Sequence, residues 1–335
     1  MTHCQRQKNQ GVALITAMLI VALASIAAVA VVSRQQFDIR RSANLLNGDQ
    51  AYQLALGAEA FAKQILARDL TKGSTDDLKE DWAKPIQALD VEGGKVSGYI
   101  EDLQGRYNLN NLVDKDGVTV TAEVENFQRL LAHLDIPTDL AYVVADWIDK
   151  NIDPDIHGGA EDTVYTGLQP AYRPPNTLMS SVSELRLMLI SDQFKPEYYA
   201  KLEPFVCALP AHTKINVNTA KAEVLLTLSS KLDIIKAQNL VADVKARAKD
   251  SPFDLNSFSL ALTSIGGLDS SEVESTKSMW AVSSSYFLIA ANTLFGKGQV
   301  TLYSELNRSA ASAPTPSSPG KPNQISVIYR AQGVL

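Results

Sequence analysis

Between residues 12 and 32 the chain carries no charge, and its only hydroxyls are Thr16 and Ser25. As a helix this run spans roughly 31 Å, about one hydrocarbon core of a bilayer. Arg34 closes it on one side and Arg6 and Lys8 on the other. The positive-inside rule keeps such a short basic end cytoplasmic and puts the bulk of the chain outside, in a bacterium the periplasm. Three readings of the run compete. A secretory signal peptide would be cut at Ala22-Leu23-Ala24 or Ala28-Val29-Ala30, yet the run goes on past both sites without turning polar. A plain signal anchor would stay uncut. A cut ahead of the run, after Gly11, would leave Val12 as the first mature residue.

Past Arg34 the helical spacing of alanines and leucines continues through Ala51, Leu54, Ala55, Ala58 and Ala60, which predicts a stalk ending near Thr71-Lys72-Gly73. Residues 95–103 alternate and hold Val, Tyr and Ile, a strand pattern. From about Val120 the period changes. Val124, Phe127, Leu130, Leu131 and Leu134 mark one helix, and Leu140, Val143, Val144, Trp147 and Ile148 another. Further helices are predicted over 181–191, 196–203, 220–229, 232–249 and 270–279. Strand character returns over 281–291, 298–304 and 324–330, the first two joined by a Gly-bearing loop at 292–297. The order is long helix, strand, helical block, three strands. That is an α/β (α+β) plan: helix and antiparallel sheet over 34–117 and 280–335, an all-α insertion over 118–279, and a low-complexity loop at 309–323.

The chain has 335 residues, a net charge of −6 and a pI near 5.3, so no global basic field draws it to nucleic acid. If the leader is removed, Cys4 leaves with it and Cys207 stands alone. No intrachain disulfide is then possible, and Cys207 reads as a small buried hydrophobe.

The densest chemistry lies between Asp146 and Asp162, where six carboxylates fall among Gly and Pro. Hard oxygen ligands on a turning backbone suit Ca²⁺. The spacing is not that of an EF-hand, and His157 has no Cys or His companion for zinc. A solvated acidic loop is the other reading.

Two resemblances narrow these alternatives. Gln10-Gly11-Val12-Ala13-Leu14-Ile15-Thr16 resembles the type IV prepilin signature of basic leader, glycine and apolar helix. Asp146-Trp147-Ile148-Asp149, Gly159-Ala160-Glu161-Asp162, Tyr165, Ala171-Tyr172-Arg173, Ser181-Val182-Ser183-Glu184 and Gln104-Gly105-Arg106-Tyr107-Asn108-Leu109-Asn110-Asn111 resemble the GspK family, minor pseudopilins of type II secretion. The resemblance implies a pilin-like fold in which the long N-terminal helix packs on an antiparallel sheet. It implies a leader (1–11) cut between Gly11 and Val12 by a prepilin peptidase, with methylation of the new amine, and a transmembrane assembly helix over 12–33. It implies calcium in the helical insertion, with ligand roles for Asp149, Asp153, Glu161 and Asp162, Asp155 alongside, and Arg173 as a competing ion-pair partner. The implied partners are other minor pseudopilins (GspI-like, GspJ-like, GspH-like) in a hetero-oligomer. The implied location is the inner membrane, then the pseudopilus tip, where the chain initiates assembly and supports export.

Thr16 departs from the type IV prepilin pattern. Ordinary pilins carry glutamate at this fifth mature position, where it is held to pair with a neighbour's amino terminus. A subunit at the tip has no neighbour above it. Within the span, Ala22, Ser25 and Val29 are spaced for close helix packing.

A rival reading comes from Lys214-Ile215-Asn216-Val217-Asn218-Thr219-Ala220, which looks like the opening of a DNA-binding helix-hairpin-helix of the competence type. The Gly-x-Gly hairpin that should follow is missing, so the expectation is a structural remnant without nucleic acid, Asn216 and Asn218 shaping the turn. A signal-anchored calcium-dependent hydrolase is a third class. The four histidines are scattered, and no H-E-x-x-H, G-x-S-x-G or P-loop occurs. A non-enzymatic subunit is expected.

Overall fold

The computed structural model describes residues 10–188, 195–248, 251–309 and 324–333. The leader residues 1–9, the last residues of the helices predicted at 181–191 and 232–249, and nearly all of the 309–323 loop lie outside them.

Helix α1 (Gln10–Asp69) is continuous for 60 residues, about 90 Å at 1.5 Å per residue. Its outer half buries Ala51, Ala55, Glu59, Ala62 and Leu66, a stripe at steps of three and four that lies on the sheet. The strands of that sheet are β1 (Ile86–Val91), β2 (Gly94–Asp102), β7 (Tyr286–Phe295), β8 (Gly298–Ser309) and β9 (Gln324–Gln332), antiparallel throughout in the order β1-β2-β7-β8-β9. Between β2 and β7 the chain forms two-residue strands β3 (Tyr107–Asn108), β4 (Val206–Cys207), β5 (Ile215–Asn216) and β6 (Trp280–Ala281), and helices α2 (Thr121–His133), α3 (Leu140–Ile148), α4 (Asp162–Tyr165), α5 (Leu185–Met188), α6 (Glu197–Leu202), α7 (Ala222–Leu225), α8 (Ile234–Ala246), α9 (Leu255–Ser264) and α10 (Ser270–Thr276).

Four details differ from the sequence pattern. Strand β1 was not expected, because its middle residues are exposed on both faces and show no alternation. Helix α9 was hidden by its serines, although Asp254 and Ser257 form a capping box at its start. Strand β7 begins at Tyr286 rather than Ala281, because the backbone N of Ser284 is drawn aside to Asp76 Oδ2 at 2.7 Å. The β7–β8 loop is tighter than 292–297: Phe295 pairs with Gly298, so Gly296-Lys297 alone make the turn.

That turn fixes the orientation of the molecule. Gly298 packs on the α1 backbone at Asn47, toward the apolar N-terminal half of that helix, while Arg308, at the far end of β8, pairs with Asp69 at 2.9 Å. Asp102 and Tyr286, where the chain leaves and re-enters the sheet, lie at the Arg308 end, as the Ser284 and Asp102 contacts show. The helical body is therefore mounted on the end of the sheet farthest from the apolar N-terminal half of α1.

The body's core includes Tyr107, Leu109, Leu112 and Val113 and runs on to Val282, so it begins ahead of residue 118, inside the segment first grouped with the sheet. Three buried asparagines explain why. Asn108 accepts from Leu209 N and donates to Ala211 O; Asn110 exchanges hydrogen bonds with Met179; Asn111 does the same with Thr213. Each amide supplies both a donor and an acceptor, and so stands in for a missing sheet neighbour.

The joint between sheet and body is polar and closed. The Asp102 carboxyl accepts from Gln104 N, Asn216, Thr219 and Ser284, and burial raises its pKa to about 6. Arg308, 3% exposed, pairs with Asp69 and Asp76, donates to Ser284 O and lies over the Phe287 ring. Cys207 is a buried free thiol beside Leu103 and Leu209.

Candidate metal centre and assembly helix

Helix α3 carries Asp146 on its inner side, between Val143 and Trp147, and ends at Asp149. The chain then loops out and returns at Glu161, the residue that opens α4. Aromatic packing clamps both ends of the loop. Trp147 lies edge-on to Tyr165 at 5.2 Å and donates to Glu184 Oε2 at 3.0 Å. The turn at 158–159 admits no side chain at its second position: a Cβ on Gly159 would sit 1.9 Å from Asp146 Oδ2.

Among the described residues the buried acids of the loop have no ion pair, while the outer Asp155 and Asp162 do. Asp146, Asp149 and Glu161 are each at most 2% exposed. Asp146 Oδ2 accepts from Asp155 N at 3.0 Å, and Asp149 Oδ2 accepts from Thr119 and Asn151. Their other oxygens are worse placed. Among the described residues seven buried side-chain polar atoms lack a partner, and four are Asp149 Oδ1, both Glu161 oxygens and Asn176 Oδ1. Asn176 neighbours Glu161 and is held there by its bond to Asn151 O. Burial, with the surrounding carboxylates, pushes Asp146 and Glu161 up to about 7, and burial raises Asp149 as well.

Buried acceptors with no donor are costly unless something positive satisfies them. The orphaned set is all oxygen and mostly carboxylate, the donor chemistry of a hard divalent ion such as Ca²⁺. The predicted residues divide. Asp149 and Glu161 are buried near Asp146, which the ligand assignment had passed over, although the three do not bring ligand atoms within 4.8 Å of one another. Asp153 is exposed, Asp155 is half-buried and pairs with His157 at 2.8 Å, and Asp162 pairs with Arg173 at 3.5 Å. The signal for Asp146 was present in the sequence as an acid on the apolar side of a helix.

A tighter trio of acids exists elsewhere. Ligand atoms of Asp69, Asp76 and Glu80 lie within 4.8 Å of one another, but the Arg308 guanidinium already occupies Asp69 and Asp76. Burial raises Asp69 to about 6 and Glu80 to about 7 there.

At the other end of the molecule, Val12–Asp69 holds a window long and apolar enough to cross a membrane, and none of that window is buried within the chain. Thr16 donates to Ala13 O at 3.0 Å and Ser25 to Val21 O at 2.8 Å, so neither hydroxyl presents an open polar group to lipid. Ala22, Ser25 and Val29 are exposed on the bare helix, which starts at Gln10 and so includes Gly11 in its first turn.

The DNA-binding reading does not survive the geometry. Asn216 shapes the turn as expected, its Oδ1 accepting from Asn218 N at 3.1 Å and its backbone O from Ala220 N, and both asparagines are also buried ties: Asn216 donates to Asp76 O and Asp102, and Asn218 exchanges hydrogen bonds with Phe253. In the following loop, Lys231 N and Lys236 N are taken by Ser229 and Asp233. Past Gly266-Gly267, the start of α10 is capped by Asp269 and Glu272, so acids stand where phosphate would bind.

The family model described as type II secretion system (T2SS), protein K, matches residues 105–211. A type II secretion system protein K from Pseudomonas aeruginosa is 36% identical over 98% of this chain and 94% of its own length. One from Aeromonas hydrophila is 35% identical over 67% of this chain and 70% of its own. In the solved GspK-GspI-GspJ complex from the type 2 secretion system of enterotoxigenic Escherichia coli, the matched chain superposes with a TM-score of 0.72 at 22% identity, covering 88% of this chain and 100% of that one. The likeness bears out the mixed fold, with its long helix on an antiparallel sheet.

Proposed function

Since the chain belongs to the type II secretion system protein K family, a family of minor pseudopilins, we propose that it caps the tip of a periplasmic pseudopilus and starts its assembly. The observation that carries the tip position is the mounting of the helical body on the membrane-distal end of the sheet. In a fibre that grows from the membrane, that end of an internal subunit abuts the subunit above. A body built on Tyr107–Val282 fills that space. Thr16 agrees with it: a tip subunit has no upper neighbour whose amine a glutamate would pair with, and a lone carboxylate in the bilayer would cost a few kcal/mol.

The role is structural rather than enzymatic, and its working part is α1. A prepilin peptidase removes residues 1–11 and methylates Val12. The helix is held in the inner membrane with its N-terminus cytoplasmic and the rest periplasmic. It packs through Ala22, Ser25 and Val29 on the helices of GspI-like, GspJ-like and GspH-like subunits, a hetero-oligomer without nucleic acid. Calcium bound by Asp149, Glu161 and Asp146, with the Asn176 side-chain carbonyl and the nearer of Asp153, Asp155 and Asp162, supplies the positive charge that the buried acids lack and holds α3 to α4. Export across the outer membrane depends on the tip so formed.

N-terminal sequencing and intact mass of the chain from cells with an active prepilin peptidase test the processing. A start at methylated Val12 is expected. A start near Val31 would mean ordinary secretion, and an uncut chain a plain anchor.

A further inference from the structure

The face of the sheet turned away from α1 is only partly covered. Side chains alternate along a strand, so while Ile100, Phe287, Ile289 and Leu306 pack toward α1, their neighbours project on the other side. Strand pairing sets these in rows. Glu101, Leu288, Glu305 and Tyr329 stand side by side across β2, β7, β8 and β9, and Tyr99, Ala290 and Tyr303 form the next row. Cys207 and Leu209 of the helical body cover Tyr286 and Leu288. Beside that cover open two hollows of about 180 and 260 Å³, which share Ala208 and Glu305. Together they form one groove, with residues 178–183 along its side, that runs from β2 to the edge strand β9.

Glu305 is the unmatched group on this face. It is half-buried, and burial pushes its carboxyl up to about 7. Among the described residues it has neither an ion pair nor a hydrogen bond. Glu101, Glu203 and Glu305 line the first hollow against Arg106 alone, and Arg106 is already engaged. Its Nε and Nη2 lie 2.8 and 2.6 Å from the Glu101 carboxylate, and its Nη1 donates to Glu203 O. A free carboxylate beside tyrosine rings suits a guanidinium, whose planar fork meets the oxygens while its face stacks on a ring. The chain makes both contacts nearby, with Arg106 on Glu101 and with Arg186 over the Tyr199 ring at 4.2 Å.

The second hollow has a different chemistry. Leu178, Met179, Pro210 and Ile328 line it. A bulge in β9 helps to build it: Glu305 pairs with Tyr329 and Leu306 with Val327, so Ile328 is an extra residue. Leu178 is 39% exposed and Ile328 40%. From β2 to β9 there are three strand spacings, roughly 14 Å, the length of about four extended residues. Residues two apart on such a segment project the same way, about 7 Å from one another.

We propose that the groove receives an extended protein segment bearing an arginine for Glu305, beside Tyr99 and Tyr303, and an apolar side chain two residues away for the hollow of Leu178 and Ile328. The segment belongs to a protein outside the pseudopilus, because subunits that join through α1 leave this face turned outward. Only that placement rests on the pseudopilin assignment; the recognition chemistry stands on the groove.

The first test titrates the full chain in detergent with the acetylated, amidated pentapeptide Leu-Ser-Arg-Ser-Leu, which offers an apolar side chain on either side of its arginine. Saturable binding is expected. Glutamine in place of the peptide's arginine, or Glu305→Gln in the chain, should weaken it by about tenfold or more, the loss of one charge-assisted contact. Glu305→Gln should melt at or above the parent chain, since it removes an unpaired half-buried carboxylate. Leu178→Ser should weaken binding severalfold and keep its dependence on the peptide's arginine. Binding that does not saturate, or that ignores both glutamine changes, would overturn the proposal and leave the pseudopilin assignment untouched. The source of the segment is read in cells that make the whole secretion system, with a photoreactive phenylalanine analogue at Tyr329. The expected adduct joins a protein that is not a pseudopilin, through a segment with an arginine two residues from an apolar one, and is lost with Glu305→Gln. An adduct with another pseudopilin, or no adduct, would overturn the outward placement.

Discussion

Removing calcium from the detergent-solubilised chain with EDTA is expected to lower its melting temperature by about 10 °C. A ligand held a thousandfold above its dissociation constant stabilises by about 4 kcal/mol, and a body of this size responds at roughly 2–4 °C per kcal/mol. The physical source is the set of orphaned oxygens on Asp149, Glu161 and Asn176. Glu161→Gln should abolish the calcium response, yet in EDTA it should melt above the parent chain, since one buried uncompensated carboxylate is gone. The pH dependence has a definite sign. Asp146 and Glu161 stand at about 7 in the metal-free fold, against ordinary values near 4 in the unfolded chain. Between about pH 4 and pH 7 the folded state then holds more protons than the unfolded state, so metal-free stability falls as pH rises across that window. Calcium needs the carboxylates deprotonated, so its stabilising increment should grow over the same range. Differential scanning fluorimetry with and without calcium at pH 5.5 and pH 8 reads both trends, and an EDTA shift of under 2 °C at pH 8 would remove calcium from the account.

The second large effect lies at the joint. Arg308→Ala is expected to destabilise the chain by about 3–5 kcal/mol, the cost of leaving buried partners of an ion pair uncompensated. Asp69 and Asp76 both lose their cation, and Ser284 O loses a donor. Adding Asp76→Asn should recover part of the loss, because fewer charges then remain stranded. Urea unfolding measures this, and a loss below 1 kcal/mol would mean that the helical body does not depend on this contact. Hydrogen exchange should localise the loosening to Asp76, Ser284 and the start of β7.

Periodicity made most of the fold legible. The α1 stripe, α2 and the outer run of β2 follow directly from apolar spacing, because each presents an apolar face to the core, and α3 from an apolar run that is buried nearly all round. What escaped lacks that signature. Strand β1 buries almost nothing, and α9 is written largely in serine and leucine. The start of β7 is set by a hydrogen bond to Asp76, more than two hundred residues away, which no local window contains. The acidic loop was legible from composition, and resemblance named Asp149, Asp153, Asp155, Glu161 and Asp162 within it, but only the folded chain separates the buried Asp149 and Glu161 from the more exposed acids. Asp146 belongs with the former only because α3 turns it inward, and Asp153 is left in water. The asparagines at 108, 110, 111, 216 and 218 are buried ties between distant segments, a role that is visible only once the chain has closed.

The assignment as a pseudopilus subunit is tested most directly by export. The gene for this chain is deleted from its own bacterium, and proteins that leave by the type II pathway are assayed in periplasm and medium. These proteins are expected to accumulate in the periplasm and to reach the medium again when the intact chain is restored. Export at the parental level in the deletion strain, with no other protein K present, would contradict the account.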